Sequence, residues 1–216
     1  MKRTILAIVL FGTTMLAHAQ TTMKDLWLSM PDSVLPYMNE SMRRDHIDFI
    51  NMNLDSEVKN LLSGKCVIDT LTTDYCKILL NDNISWQLVL LPREEHGDSV
   101  TCSIKTILGK GSESEICFYN QQWQHIDASF GLPQNDGTDN LVNTFIEKPD
   151  TMSQDRFAQL QSQLVPCMLV ADYDQSHGCL VLKLSVPLPD GGQEEQVKTI
   201  LKQRKLKWNG RKFTES

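Results

Sequence analysis

At 216 residues with a formal charge of −6, the chain is long enough for one compact domain, or two small ones, with ample core. Its acidic balance argues against general binding to nucleic acid or to anionic membrane surfaces. It holds no glycine-rich phosphate loop after a strand, no C-x-x-C, no H-E-x-x-H and no G-x-S-x-G, so the common nucleotide, zinc and acyl-transfer signatures are absent and no cofactor is expected.

Residues 1–19 read as a secretory signal. Lys2 and Arg3 open it, Ile5 to Leu16 form an apolar core too short to span a bilayer, and Ala17-His18-Ala19 is a small-x-small cleavage site. Cleavage there removes 19 of 216 residues, leaving 197, and the loss of Lys2 and Arg3 takes the charge to −8. A periplasmic or secreted protein is expected, without a lipoprotein cysteine or a later membrane-spanning stretch.

Residues 20–64 form an N-terminal helical segment. Leu26, Trp27 and Met30 are at helical spacing, and Pro31 stops the pattern. Ser41 is placed to cap a second helix whose inner face would carry Met42, His46, Phe49, Ile50 and Asn53, with Arg43, Arg44 and Asp48 elsewhere. Asp55 to Leu62 groups Val58, Leu61 and Leu62 as a third helical piece, ended by Gly64.

Residues 65–128 read as a first antiparallel β unit. Cys66–Ile68 and Tyr75–Leu80 flank a turn at 70–74, and Gln87–Leu91 is an apolar run closed by Pro92. In Val100–Leu108, residues Val100, Cys102, Ile104, Thr106 and Leu108 alternate with Thr101, Ser103 and Lys105, the period of a half-buried strand. Ile116–Tyr119 follows, then a turn at Asn120 and Trp123. Residues 129–152 read as a connector in which Leu141, Val142, Phe145 and Ile146 could make one helical turn.

Residues 153–216 read as a second α+β unit. Ser153 begins a helix lined by Phe157, Leu160 and Leu164; Met168–Ala171 and Leu180–Val186 are strands around a turn at 172–178. A helix is expected over Glu194–Gln203, its terminal charges suiting the dipole. Asn209-Gly210 predicts a two-residue hairpin that sets Trp208 opposite Arg211, a cation–π pair worth about 0.5–1 kcal/mol, and Leu206 opposite Phe213. Apolar strand, polar turn, alternating strand and Trp-bearing segment thus come twice, roughly 80–85 residues apart, which points to an internal repeat or to ordinary hairpins. The expected fold class is α+β: N-terminal helices packed on antiparallel β-sheet, with two related helix-plus-sheet units.

Candidate chemistry is sparse. Cys66, Cys76, Cys102, Cys117, Cys167 and Cys179 could pair in an exported chain, with Cys66 and Cys76 as the best pair, or could serve as small buried hydrophobes. Lys205, Lys207, Trp208, Arg211 and Lys212 make a basic tail that could dock an anionic partner or could simply shield a sheet edge. His46, His96, His125 and His177 lack metal spacing, and 172–183 fails as a calcium loop because Lys183 stands where a bidentate Glu is needed. Asp45, His46 and Asp48 near the connector are the place where a hydrolase site could assemble. Asp-Ser/Thr-apolar triplets at Ser33, Thr70, Ser99 and Thr151 exceed the roughly one match that composition gives. They suit capping and Asx turns, and they resemble the O-glycosylation acceptor of exported Bacteroidales proteins.

The segments Met23-Lys24-Asp25-Leu26-Trp27, Met30-Pro31-Asp32-Ser33, Arg44-Asp45-His46-Ile47-Asp48-Phe49 and Ser129-Phe130-Gly131-Leu132-Pro133 resemble a family of exported Bacteroidales proteins of unknown function. The resemblance implies a cell-envelope address and transfers no catalytic residue. The leading expectation is a non-enzymatic binding or interaction module with a protein or glycan partner in the envelope. A hydrolase, or a small apolar-ligand carrier with a cavity between sheet and helices, is the alternative.

Overall fold

The structure, a computed structural model, describes residues 21–94, 97–133, 138–188 and 192–216; the expected leader at 1–19 and His96 lie outside the described residues. The chain is α+β. Helices α1 (Met23–Ser29) and α2 (Glu40–Asn51) precede strands β1 (Glu57–Lys59), β2 (Lys65–Leu71), β3 (Tyr75–Asn81), β4 (Ile84–Pro92), β5 (Ser99–Ile107) and β6 (Glu113–Tyr119). Then come α3 (Thr138–Thr144), α4 (Gln154–Gln161), β7 (Met168–Asp174), β8 (Cys179–Ser185), α5 (Gly192–Lys198), β9 (Arg204–Trp208) and β10 (Phe213–Glu215). All strand pairs are antiparallel, in a six-stranded sheet ordered β1 to β6 and a four-stranded sheet ordered β10-β9-β8-β7.

The larger sheet is the middle layer. One face, with Cys76, Ile78, Trp86, Leu88 and Leu90, packs under α1, the following loop and α2 through Leu26, Trp27, Met30, Leu35 and Ile47. The other face, with Tyr75, Val89, Leu91, Val100, Cys102 and Ile104, packs against the smaller sheet and α3–α5. The expectation that β5 is half-buried is therefore corrected. Thr101 and Ser103 are as buried as Val100 and Cys102, because both sheet faces are covered. The polar residues are tolerated where partners exist: Ser103 Oγ accepts from the Trp86 indole at 2.7 Å, whereas Thr101 Oγ1 has no partner. Lys105 lies over the Trp86 ring at 5.3 Å.

The N-terminal segment departs from expectation in three ways. Asn39, not Ser41, caps α2 by accepting from the Met42 amide, since a side-chain oxygen serves the donor three residues on. Asp55 to Leu62 holds strand β1 rather than a helix; Val58 is buried against α2 while Leu61 and Leu62 are exposed. The α2 segment is tied to both flanks of β1, with the Leu61 amide donating to the Tyr37 carbonyl and His46 Nδ1 lying 2.8 Å from the Ser56 carbonyl. Third, Arg43 is turned inward, 2 % exposed.

The smaller sheet meets the larger one edge-on. Strand β7 pairs with β8 on one side only, and its outer amides are taken by side chains. The Ala171 amide donates to Ser114 Oγ at 2.9 Å and the Tyr173 amide to Gln87 Oε1 at 2.8 Å, while Gln87 Nε2 donates to Asp172. An open strand edge is thus closed without a further strand, which is why Gln87 sits buried on a strand that otherwise reads as apolar. Gln87→Ala is expected to cost about 2 kcal/mol, the penalty of an orphaned buried amide plus lost packing. Amide exchange at Tyr173 should rise more than at Leu180; a uniform rise across both would contradict the local role.

The connector holds α3, whose Leu141 and Val142 are buried together with Phe145 just beyond it, a longer helix than the single turn expected. Ser153 caps α4 as expected. The tail register is corrected. Trp208 pairs with Phe213 and Leu206 with Glu215, so a four-residue loop, not two, joins β9 to β10. Trp208 packs edge-on to Phe130 and Phe213 and donates to the Pro92 carbonyl at 2.6 Å. Gly131 permits this closure. Its φ is +80°, and a Cβ there would stand 2.6 Å from the Phe213 carbonyl oxygen. The hairpin β4–β5 lies inside its sheet, whereas β7 of the corresponding hairpin is an edge, and Trp123 follows β6 in a loop. The six cysteines are free: Val67 pairs with Leu79 and Leu71 with Cys76, so Cys66 and Cys76 are out of register.

Candidate binding groove

The junction of the two sheets leaves an open groove of about 680 Å³. The larger sheet supplies Lys77 from β3, Ser85 and Gln87 from β4 and Thr106 from β5. Cross-strand pairing of Lys77 with Gln87 and of Ser85 with Thr106 brings these polar groups to one corner of the sheet. Opposite stand Val170 and Asp172 from β7 and Lys183 and Leu184 from β8, and Val197 of α5 with Leu201 closes one side.

Charges in the groove divide into committed and free. Lys198 is paired with Glu194 and Glu195, and Lys202 with Glu147. Asp172 is turned onto Gln87. Lys77 and Lys183 make no ion pair among the described residues, and each comes from a different sheet. Ser85 is 7 % exposed, and its hydroxyl makes no hydrogen bond among the described residues. The arrangement is a polar, net cationic corner beside an aliphatic wall.

The residues singled out from sequence fall elsewhere. Lys205, Lys207, Arg211 and Lys212 are exposed on the β9–β10 hairpin around the half-buried Trp208. Arg204 is paired with Glu215, whereas Lys205, Lys207 and Lys212 have no ion pair among the described residues. Lys205 and Lys207 share the outward face of the small sheet with Lys183, since Lys205 pairs with Val181 and Lys207 with Cys179.

Asp45, His46 and Asp48 do not converge. His46 is fully buried against Trp27, both aspartates are exposed, and the connector packs in the other core. His46 Nδ1 faces a carbonyl and so carries the proton, leaving Nε2 bare and unpartnered; burial lowers its pKa to about 4. His177 and Asp174 do form a hydrogen-bonded pair at 2.7 Å, but on the exposed β7–β8 turn. His125 is bridged to Tyr119. Burial pushes the Cys66 thiol up to about 12 and raises Cys76 and Cys102 as well, the opposite of an activated thiolate. Among the described residues no group of three or more His, Cys, Asp or Glu is placed to hold a metal ion, and no helix is long and apolar enough to cross a membrane.

Of the Asp-Ser/Thr positions, Ser33 and Thr151 are exposed, Thr70 is half-buried on β2 beside a register shift, and Ser99 is buried. A glycan on Ser99 is incompatible with this packing. The groove itself escaped sequence reading. Its only local signal is a polar residue at Lys77, Ser85 and Gln87 in strands otherwise apolar, and its far wall lies roughly 100 residues later.

A family model described as a protein of unknown function (DUF3256) matches residues 15–213. A solved structure, described as a domain of an uncharacterized protein from Porphyromonas gingivalis W83, aligns with TM-score 0.72 at 19 % identity, covering 92 % of this chain and 100 % of that one. That likeness shows the fold. No curated protein matches the sequence.

Proposed function

Since the chain belongs to the family of unknown function DUF3256, which supplies no activity, we propose from its own geometry that it is an exported, non-enzymatic binding module that holds its ligand in the groove between the two sheets. The observation that carries this reading is the groove's uncommitted polarity: Lys77, Lys183 and the Ser85 hydroxyl line it without partners among the described residues. A buried hydroxyl is normally paired, and Ser85 is the buried member of this set. A volume of about 680 Å³ also falls in the range of small-molecule sites. The sealed His46 and the open-turn His177 offer no general base beside a cavity. Export rests on the leader-like residues 1–19.

The test is site-specific photo-crosslinking in the native host. A photo-reactive residue at Leu108, on the groove, should give a defined adduct in the periplasmic or secreted fraction. The same probe at Leu62, exposed and remote from the groove, should not. Equal adduct patterns at both positions, or a wholly cytoplasmic protein, would defeat the proposal. A second surface, the hairpin bearing Lys205, Lys207 and Lys212, suits docking of an anionic protein or glycan of the envelope, because these three lysines are exposed and unpaired among the described residues.

A further inference from the structure

We infer that the groove's ligand is a single-chain amphipathic anion, with its carboxylate or phosphate head held by Lys77, Lys183 and Ser85 and its alkyl chain laid along Leu108, Val186, Leu188 and Leu201. The inference rests on the groove being the binding site and goes on to name the chemistry it selects.

The head position follows from three groups. Lys77 from β3 and Lys183 from β8 both line the groove, and each lacks an ion-pair partner among the described residues. The hydroxyl of the buried Ser85 has no hydrogen-bond partner there either, so it can donate to an oxyanion held in the groove. Of the acids in the lining, Glu194 is paired with Lys198 and Asp172 accepts from Gln87, so the lysines remain in excess. Two cations and a hydroxyl donor around one space select an anion over a metal ion or a neutral head.

The tail position follows from the other wall. Leu108 after β5, Val186 and Leu188 after β8 and Leu201 beyond α5 line the groove and are only partly buried, so they form an aliphatic surface open to a ligand. No aromatic side chain among the described residues lines the groove. Sugar rings and nucleobases are commonly held by stacking on aromatic faces, so those ligand classes find no platform. An alkyl chain needs only aliphatic surface withdrawn from water.

Calorimetric titration of the full chain with decanoate and with 1-decanol separates head from tail. Decanoate should bind about tenfold more tightly than decanol, as two charge-assisted contacts imply. The Lys77→Gln/Lys183→Gln double variant should erase that difference, and Ser85→Ala should reduce it. Lys24→Gln/Lys59→Gln, exposed on α1 and β1 and outside the groove lining, should leave it intact. Circular dichroism melts establish that each variant is folded. Equal binding of acid and alcohol would overturn the anionic head while leaving a binding groove in place. No saturable binding of either would overturn the inference outright, with the crosslink at Leu108 deciding separately whether the groove is used. Binding to phosphatidylglycerol vesicles in preference to monomeric decanoate would also overturn it, by showing a membrane surface as the partner.

Discussion

Replacing Arg43 by alanine is expected to lower the free energy of unfolding by about 4 kcal/mol, placing it among the costlier single changes in a domain of this size. The guanidinium is 2 % exposed and gathers the loop that follows α1. One terminal nitrogen donates to the Met38 carbonyl at 2.6 Å and to Asp32 at 2.9 Å, and the other to the Met30 carbonyl. Met30 is the C-cap of α1, so this side chain satisfies a helix-end carbonyl that has no partner within its helix. Truncation orphans two buried carbonyls at about 1–3 kcal/mol each and leaves a cavity.

The Asp32 contact contributes little by comparison. Its carboxylate is 61 % exposed, and Asp32→Asn should cost under about 1 kcal/mol. Arg43→Lys should fall between, at about 2 kcal/mol, because a single ammonium cannot reach acceptors on two sides as a planar fork does. Denaturant titration of the three variants checks the order. If Arg43→Ala and Asp32→Asn proved equal, the carbonyl account would be wrong and the ion pair would be the cause.

Acidification from pH 6.5 to pH 4 is expected to remove about 3 kcal/mol of stability through His46 alone. Desolvation holds its pKa near 4 in the fold, while in the unfolded chain it returns to about 6.5. Between those values the unfolded state binds a proton that the folded state refuses, so stability is complete above pH 6.5 and falls as pH drops toward 4. Protonation would place an N–H at Nε2, which has no partner, in a pocket walled by Trp27. Asp25 and Asp174 are held below the usual carboxylate range by hydrogen bonds from Thr22 and His177, so their contributions are lost at lower pH, outside this window. His46→Gln should be somewhat less stable at pH 7 but nearly flat from pH 6.5 to 4. An unchanged slope in that variant would assign the acid sensitivity to other groups.

The elements with strong local patterning were legible in the sequence. Helix α1, strands β2 to β8 and α4 with its Ser153 cap follow from apolar spacing and punctuation. Failures came where a tertiary partner decides the outcome. Val58, Leu61 and Leu62 fit a helical stripe, yet Val58 is drawn under α2 as part of β1 while the leucines remain exposed. Arg43 reads as a solvated helix position, because the carbonyls that bind it belong to a loop whose path the sequence does not state. Thr101 and Gln87 look outward-facing on a one-sided sheet; Gln87 is buried because a second sheet arrives from roughly 80 residues downstream, and Thr101, which pairs with Leu90, because the N-terminal helices cover the opposite face. The groove was illegible for the same reason, since Lys77 and Lys183 are neighbours of one cavity only after that sheet has docked.

The way β7 is sealed has a consequence for how the molecule can be divided. Its hydrogen-bonding rim is completed by Ser114 and Gln87 instead of a neighbouring strand, so the carboxy-terminal third lacks a finished border of its own. A fragment cut within the connector would bare that rim as a template for intermolecular pairing. The two sheets share this seam, so moving either one alone would leave it open.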